Sequence, residues 1–305
     1  MNAKPLEGLR VGLFGKGGVG KSTLTVLLAR ELIGEGYRPV IFDADSTNIG
    51  LSEALGSGEG PDPLMELFGG MAFSGGAVTC PVDDPTVLPN SDLDLGELPA
   101  RFQSESEVGI RLLVGGKMGG LGPGAGCDGP IAKIARDLRV RDGEERPLLM
   151  LDFKAGFEDS ARGVLTSLDW IVVVVDPTSA AVQMAVHMVQ MLDGIRSGVP
   201  PATAHLDDPA LVETVIRQFR ETRVRGISAI LNRLPDAETE AHLRNRLEAL
   251  GGPPVLGTLP EDRGVQGQWL RGQEVMAPAL SSRVRSLVQA LEAVAGPPTL
   301  RPKAH

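Results

Sequence analysis

Apolar residues recur along this chain in two rhythms. Short, nearly continuous runs at Leu9 to Phe14, Pro39 to Phe42, Arg146 to Leu151, Trp170 to Val175, Gly226 to Leu231 and Val255 to Leu259 lack the alternation of a strand with one wet face. They predict strands buried on both faces. Between and after them, apolar residues fall at helical spacing over Ser22 to Glu35, Ile131 to Leu138, Ala180 to Ile195, Asp236 to Leu250 and Ser281 to Val294, which predicts helices. Strands alternating with helices predict an α/β fold built on a doubly wound, mostly parallel sheet.

One stretch breaks the rhythm. From residue 56 to about 130 the chain is rich in glycine and proline and carries only a weak strand signal, Arg111 to Val114; Gly115 to Pro130 holds eight glycines in sixteen residues. Long irregular insertions in a compact domain are usually functional or mobile. The expected organisation is a single domain over 1–296 containing this insertion, then a flexible, proline-bearing tail over 297–305.

Composition narrows the classes. A chain of 305 residues with 42% hydrophobic and 23% charged residues supports a sizeable core, which excludes wholesale disorder and a small disulfide scaffold. The net charge of −9 provides no global field for nucleic acid. The longest strongly apolar run, Trp170 to Val175, is far short of the roughly 20 residues that span a bilayer. Met1 to Arg10 lacks the apolar stretch of a secretory signal, so a cytoplasmic protein is expected, without nucleic acid or stable membrane insertion. In a reducing compartment the two cysteines, Cys80 and Cys127, read better as thiols or metal ligands than as a disulfide.

The chemistry begins between the first strand and the first helix. Gly15-Lys16-Gly17-Gly18-Val19-Gly20-Lys21-Ser22-Thr23 fits a P-loop, whose glycines turn backbone N–H groups toward phosphate oxygens while the following helix presents its positive end. Gly17 to Thr23 are therefore expected to cradle the phosphates of ATP, with Lys21 reaching the β- and γ-phosphates and the Ser22 hydroxyl binding Mg²⁺. Leu148 to Leu151 ends in Asp152, an apolar strand tipped by one acid, suited to holding hydrated Mg²⁺. Asp43-Ala44-Asp45-Ser46-Thr47-Asn48 follows the second strand, where carboxylates at the carboxyl edge of a parallel sheet meet the ligand crevice.

The extra lysine, Lys16, makes the run Lys-Gly-Gly-Val-Gly-Lys-Ser-Thr resemble the deviant Walker A motif. That motif belongs to P-loop ATPases such as the nitrogenase iron protein, the Min/Par positioning ATPases and the accessory ATPases of metalloenzyme maturation. The resemblance implies an ATPase that closes as a homodimer, Lys16 reaching the partner's ATP. It implies that Asp43 to Asn48 is switch I, Asp45 orienting or activating the attacking water and Asp43 supporting Mg²⁺ through water. Asp152 to Gly163 resembles the switch II stretch of the nickel-insertion accessory ATPases of carbon monoxide dehydrogenase, with Lys154 where that stretch carries glutamate. Asn232 and the run Pro260-Glu261-Asp262 resemble the family's adenine-side segments.

Gly126-Cys127-Asp128-Gly129-Pro130 resembles the cysteine segment of the nickel-insertion ATPases without its second thiolate, and that of the nitrogenase iron protein without its switch II cysteine. A two-fold axis near Cys127 would bring two thiolates together, and Cys80 from each chain would raise the count to four. Four suffice for Zn²⁺ or an iron–sulfur cluster, and Ni²⁺ is the other metal the resemblance suggests. For Cys80 the alternative of a small buried hydrophobe stays open. Three functions follow as expectations: an accessory ATPase serving a client metalloenzyme, an ATP-dependent reductase with a shared cluster, and a positioning ATPase.

Overall fold

In a computed structural model, residues 4–48, 50–116, 128–156, 158–199 and 201–295 are described. The strands are β1 (Arg10–Gly15), β2 (Pro39–Asp43), β3 (Asp92–Asp94), β4 (Ser104–Glu105), β5 (Arg111–Val114), β6 (Arg139–Arg141), β7 (Leu148–Asp152), β8 (Trp170–Val175), β9 (Gly226–Leu234) and β10 (Val255–Pro260). The helices are α1 (Lys21–Gly34), α2 (Leu51–Leu55), α3 (Leu64–Leu67), α4 (Gly129–Asp137), α5 (Glu158–Ala161), α6 (Ser179–Arg196), α7 (Pro209–Arg220), α8 (Ala237–Ala249), α9 (Arg263–Leu270) and α10 (Ser281–Ala295).

Eight strands form one sheet in the order β10-β9-β8-β1-β7-β2-β5-β4, parallel throughout except for the β4–β5 pair. Every residue of β1, β2, β7 and β8 is buried, as their apolar runs, charged only at Arg10, Asp43 and Asp152 at the strand ends, require of strands covered on both faces. One layer contains α1 and α10, packed on each other; α6 and α8 pack together on β8 and β9. The chain fills β2 on one side of β1 and β8 on the other, so the strand order reverses at β1. Ligand crevices in such sheets open at the carboxyl ends of the strands at that point.

The sheet incorporates part of what the sequence presents as an irregular insertion. β5 pairs with β2, Phe42 beside Leu113, and Leu64, Leu88, Leu95, Leu98, Phe102 and Ile110 are buried in the same continuous core. Glycine and proline hide this because the elements are short and non-local pairing orders them. Residues 117–127 and the tail expected at 297–305 lie outside the described residues. Helix α7, which the periodicity does not single out, leaves Leu211, Val215, Ile216 and Phe219 half-buried. Among the described residues no helix is long and apolar enough to cross a membrane.

A buried arginine fixes α4. Arg10, 3% exposed at the start of β1, donates from Nη1 to the carbonyls of Arg136 and Ser167 and from Nη2 to that of Ala135. It thereby satisfies carbonyls that a helix leaves open at its last turn.

Candidate nucleotide site

The P-loop takes its shape from two glycines. Gly18 and Gly20 have φ of 84° and 87°, left-handed values that side chains oppose. Gly20 caps α1 from that conformation, its carbonyl accepting from the Leu24 N–H at 2.9 Å. Two side chains from the end of β9 hold the loop from outside. Asn232 Nδ2 donates to Val19 O at 2.8 Å and Arg233 Nη1 to Gly18 O at 2.7 Å. With these carbonyls held by side chains, and with the Val19 N–H donating to Lys16 O at 3.3 Å, the remaining loop amides are left for a ligand.

Parallel register brings the acids together. Asp43 and Asp152 are direct partners across β2 and β7, both essentially buried, and the Ala44 N–H donates to Asp152 O at 3.0 Å. Lys21 Nζ lies 2.7 Å from Asp152 Oδ1, with exposures of 7% and 0%. Asp152 Oδ2 is buried without a hydrogen-bond partner, a state that costs on the order of 1–3 kcal/mol. An orphaned carboxylate oxygen beside a phosphate-type loop fits hydrated Mg²⁺, and the Ser22 hydroxyl and Asp43 complete an all-oxygen set suited to that ion. Ser22 Oγ accepts from Asn48 Nδ2 at 3.2 Å. Asp45 Oδ1 accepts from the Thr47 N–H and hydroxyl at 2.9 and 2.6 Å, which folds the segment after β2 into a tight turn over the site.

Sequence reasoning gives Asp128 no role of its own; the structure gives it two partners. Its Oδ1 accepts from Ser46 Oγ at 2.5 Å and its Oδ2 from Lys154 Nζ at 2.5 Å. Burial pushes the Asp128 carboxyl up, but the bonds from Lys154 and Ser46 outweigh it and hold the group below the usual carboxylate range. The Asp128 bond likewise lifts the Lys154 ammonium above its ordinary value, against burial. One carboxylate at the head of α4 thus joins the segment after β2 to the segment after β7. The pairing is electrostatically sound because Lys154 supplies the cation that a largely covered aspartate requires. Nearby, burial pushes Asp159 up to about 6 despite Arg162 at 3.0 Å.

A cavity of about 600 Å³ opens above these groups, within the range of small-molecule sites. Its lining includes Lys16, Gly17, Gly18, Gly20, Lys21, Ser22, Thr23, Asp45, Asn232, Pro260 and Asp262. Lys16 is exposed at its rim. On the base side the geometry differs from the expectation in detail. The Asn232 amide nitrogen is committed to the P-loop, leaving its oxygen toward a base. The Glu261 N–H donates to Leu234 O at 3.1 Å and its carboxylate accepts from Gln266 at 2.7 Å, so Glu261 is bound up beside the cavity. Asp262 caps α9 through the Gly264 and Val265 amides.

Cys80 is buried, its sulfur 2.6 Å from the position a side-chain carbon on Gly129 would take. It therefore packs on the first residue of α4, while Cys127 lies outside the described residues. Among the described residues no three His, Cys, Asp or Glu side chains converge as a metal site, and both oxygens of Asp128 are engaged. The described side chains do not by themselves fit Ni²⁺, Zn²⁺ or an iron–sulfur cluster.

Residues 13–275 match the CobQ/CobB/MinD/ParA nucleotide-binding domain family. The carbon monoxide dehydrogenase accessory protein CooC of Rhodospirillum rubrum is 25% identical over 296 residues, which is 95% of this chain and 98% of that protein. An uncharacterized ATP-binding protein of Methanocaldococcus jannaschii is 24% identical across 93% of this chain and 99% of its own length. Among solved structures, a ParA family ATPase from Chlorobium tepidum superposes with a TM-score of 0.57 at 19% identity, covering 93% of this chain and 98% of that one. The MinD cell division protein of Aquifex aeolicus gives 0.55 at 15%, covering 93% and 97%.

Proposed function

Because the chain belongs to the CobQ/CobB/MinD/ParA nucleotide-binding family and is an ATPase of that family, we propose that it works as a homodimeric, MgATP-driven accessory factor for metallocofactor maturation, serving a client metalloenzyme in the cytoplasm. The observation that carries this reading is the double hold on Asp128, which links both nucleotide-side segments to the helix that begins two residues after Cys127. Likeness to CooC over nearly the whole of both chains supports the choice of client class, with a metal ion as cargo rather than a resident cofactor.

Lys21 provides the trigger. Arriving phosphates draw its ammonium from Asp152 to the β- and γ-phosphate oxygens, and the released carboxylate, with Ser22 and Asp43, would hold Mg²⁺. When bound, that ion neutralises phosphate charge. Asp45 orients or activates a water whose oxygen attacks the γ-phosphorus while the bond to the β–γ bridging oxygen breaks, giving ADP and phosphate. Lys16, exposed at the cavity rim, reaches the partner protomer's ATP when two copies close face to face. Closure and hydrolysis pull on Ser46 and Lys154, and through Asp128 on the Cys127 segment.

The test is metal and acid-labile sulfide per protomer in anaerobically purified protein locked with a non-hydrolysable ATP analogue, beside Cys127→Ser. Stoichiometric metal lost in the variant supports the reading. Iron with sulfide moves the protein to the reductases. Absence of metal under every loading condition, with ATP-dependent binding to vesicles or DNA, overturns the proposal in favour of a positioning ATPase.

A further inference from the structure

The cavity above the P-loop has a second, apolar half. Its walls there are Leu24, Leu27, Leu259, Val265, Trp269 and Leu280. ATP carries a flat heteroaromatic ring as well as phosphates, and among side chains an indole offers the largest apolar face for such a ring. Trp269 stands in α9, whose first turn is pinned by the Asp262 cap. Its ring carbon Cζ3 is 3.2 Å from where a side-chain carbon on Gly50 would sit, and its Nε1 is buried without a hydrogen-bond partner.

Gly50 leads directly into α2, and α2 is sewn to the chain that follows Trp269. The Val275 N–H donates to Ala54 O at 2.8 Å, while Arg30 bridges the Glu274 carboxylate at 2.6 Å and Leu55 O at 3.1 Å. The indole therefore touches the base half of the cavity on one side and, on the other, the exit of the segment whose Asn48 binds Ser22.

We propose that Trp269 is the stacking wall of the base subsite, lying against the adenine ring, and that the same ring passes base occupancy to α2 through Gly50. Neither a client protein nor a cargo enters into this; it depends only on ATP binding.

The full-length protein labelled with fluorotryptophan has two tryptophans and gives two fluorine NMR signals, which Trp269→Phe assigns. ADP and ATP shift the Trp269 signal; inorganic tripolyphosphate, which has no base, leaves it in place. Trp269→Ala raises the Kd for ADP at least about fivefold, as loss of base stacking does, while the tripolyphosphate Kd changes less than about twofold, and Trp269→Phe retains most of the ADP affinity. Gly50→Ala, which pushes a methyl against the ring, moves the Trp269 signal and weakens ADP but not tripolyphosphate. The proposal is overturned if ADP leaves the wild-type Trp269 signal unmoved, or if Trp269→Ala weakens ADP and tripolyphosphate equally. Loss of ADP affinity in Trp269→Phe to the level of Trp269→Ala overturns the stacking role. Should Trp269→Ala fail to fold, the wild-type signal alone decides.

Discussion

The raised Asp159 carboxyl gives the stability of this protein a component that falls as pH rises. Burial holds the Asp159 carboxyl at about 6 rather than the ordinary 3.8, with Asp128 and Glu158 adding to the push and Arg162 opposing it. An acid whose folded-state pKa is raised binds its proton more tightly in the native state. Its contribution to stability is therefore fully present below the unfolded value and is lost as pH rises through the folded one. The whole gap is worth roughly 3 kcal/mol, of which about 1.4 kcal/mol falls between pH 5.0 and 7.5. The groups held low, Asp84, Asp94, Asp128 and Asp236, titrate below that window, where they lose stability as pH falls. Urea unfolding of wild type and Asp159→Asn at both pH values isolates the difference. The expected result is a wild type that gains about 1.4 kcal/mol more than the variant on going from pH 7.5 to 5.0. Equal pH responses of the two proteins would refute a raised Asp159.

Lys16→Gln is expected to bind ATP and fail to form the closed dimer; light scattering with a non-hydrolysable analogue checks this, and closure equal to wild type removes the intersubunit role. Asp45→Asn is expected to bind ATP and hydrolyse it at least about a hundredfold more slowly, in line with loss of a positioned base; unchanged turnover removes the residue from the mechanism. Gly129→Ala places a carbon 2.7 Å from Cys80 Cβ and 3.1 Å from Cys80 Cα. It should cost about 1–3 kcal/mol by overpacking, seen as a lower Tm, and a wild-type Tm would show that Cys80 yields freely.

Sequence made the phosphate end of the site legible because its chemistry is local. A strand, a glycine turn and a helix stand side by side between Arg10 and Gly34, and Asp43 and Asp152 declare themselves as acids at the tips of apolar strands. Asp128 was opaque for the opposite reason. Its partners Ser46 and Lys154 stand 82 and 26 residues away, and an aspartate among glycines reads locally as a turn. Lys154 reads in sequence as a bare reversal of charge because its partner Asp128 is remote along the chain. Asn232 lines the cavity, yet its amide nitrogen serves the P-loop carbonyl, a commitment that no spacing encodes. Likewise Arg111 to Val114 gave only a weak strand signal because β5 owes its order to β2 rather than to its own four residues.

The buried arginine at the foot of α4 gives that helix the mechanics of a lever. Nine residues rising about 1.5 Å each make an arm of roughly 14 Å. Its far end is bolted to β1 by the Arg10 guanidinium, and its near end is tethered through Asp128 to Ser46 and Lys154. About ten degrees of tilt around the bolt would carry the near end some 2 Å, by the arc of that arm. A displacement of hydrogen-bond size at Ser46 or Lys154 would thus be enough to swing the head of α4.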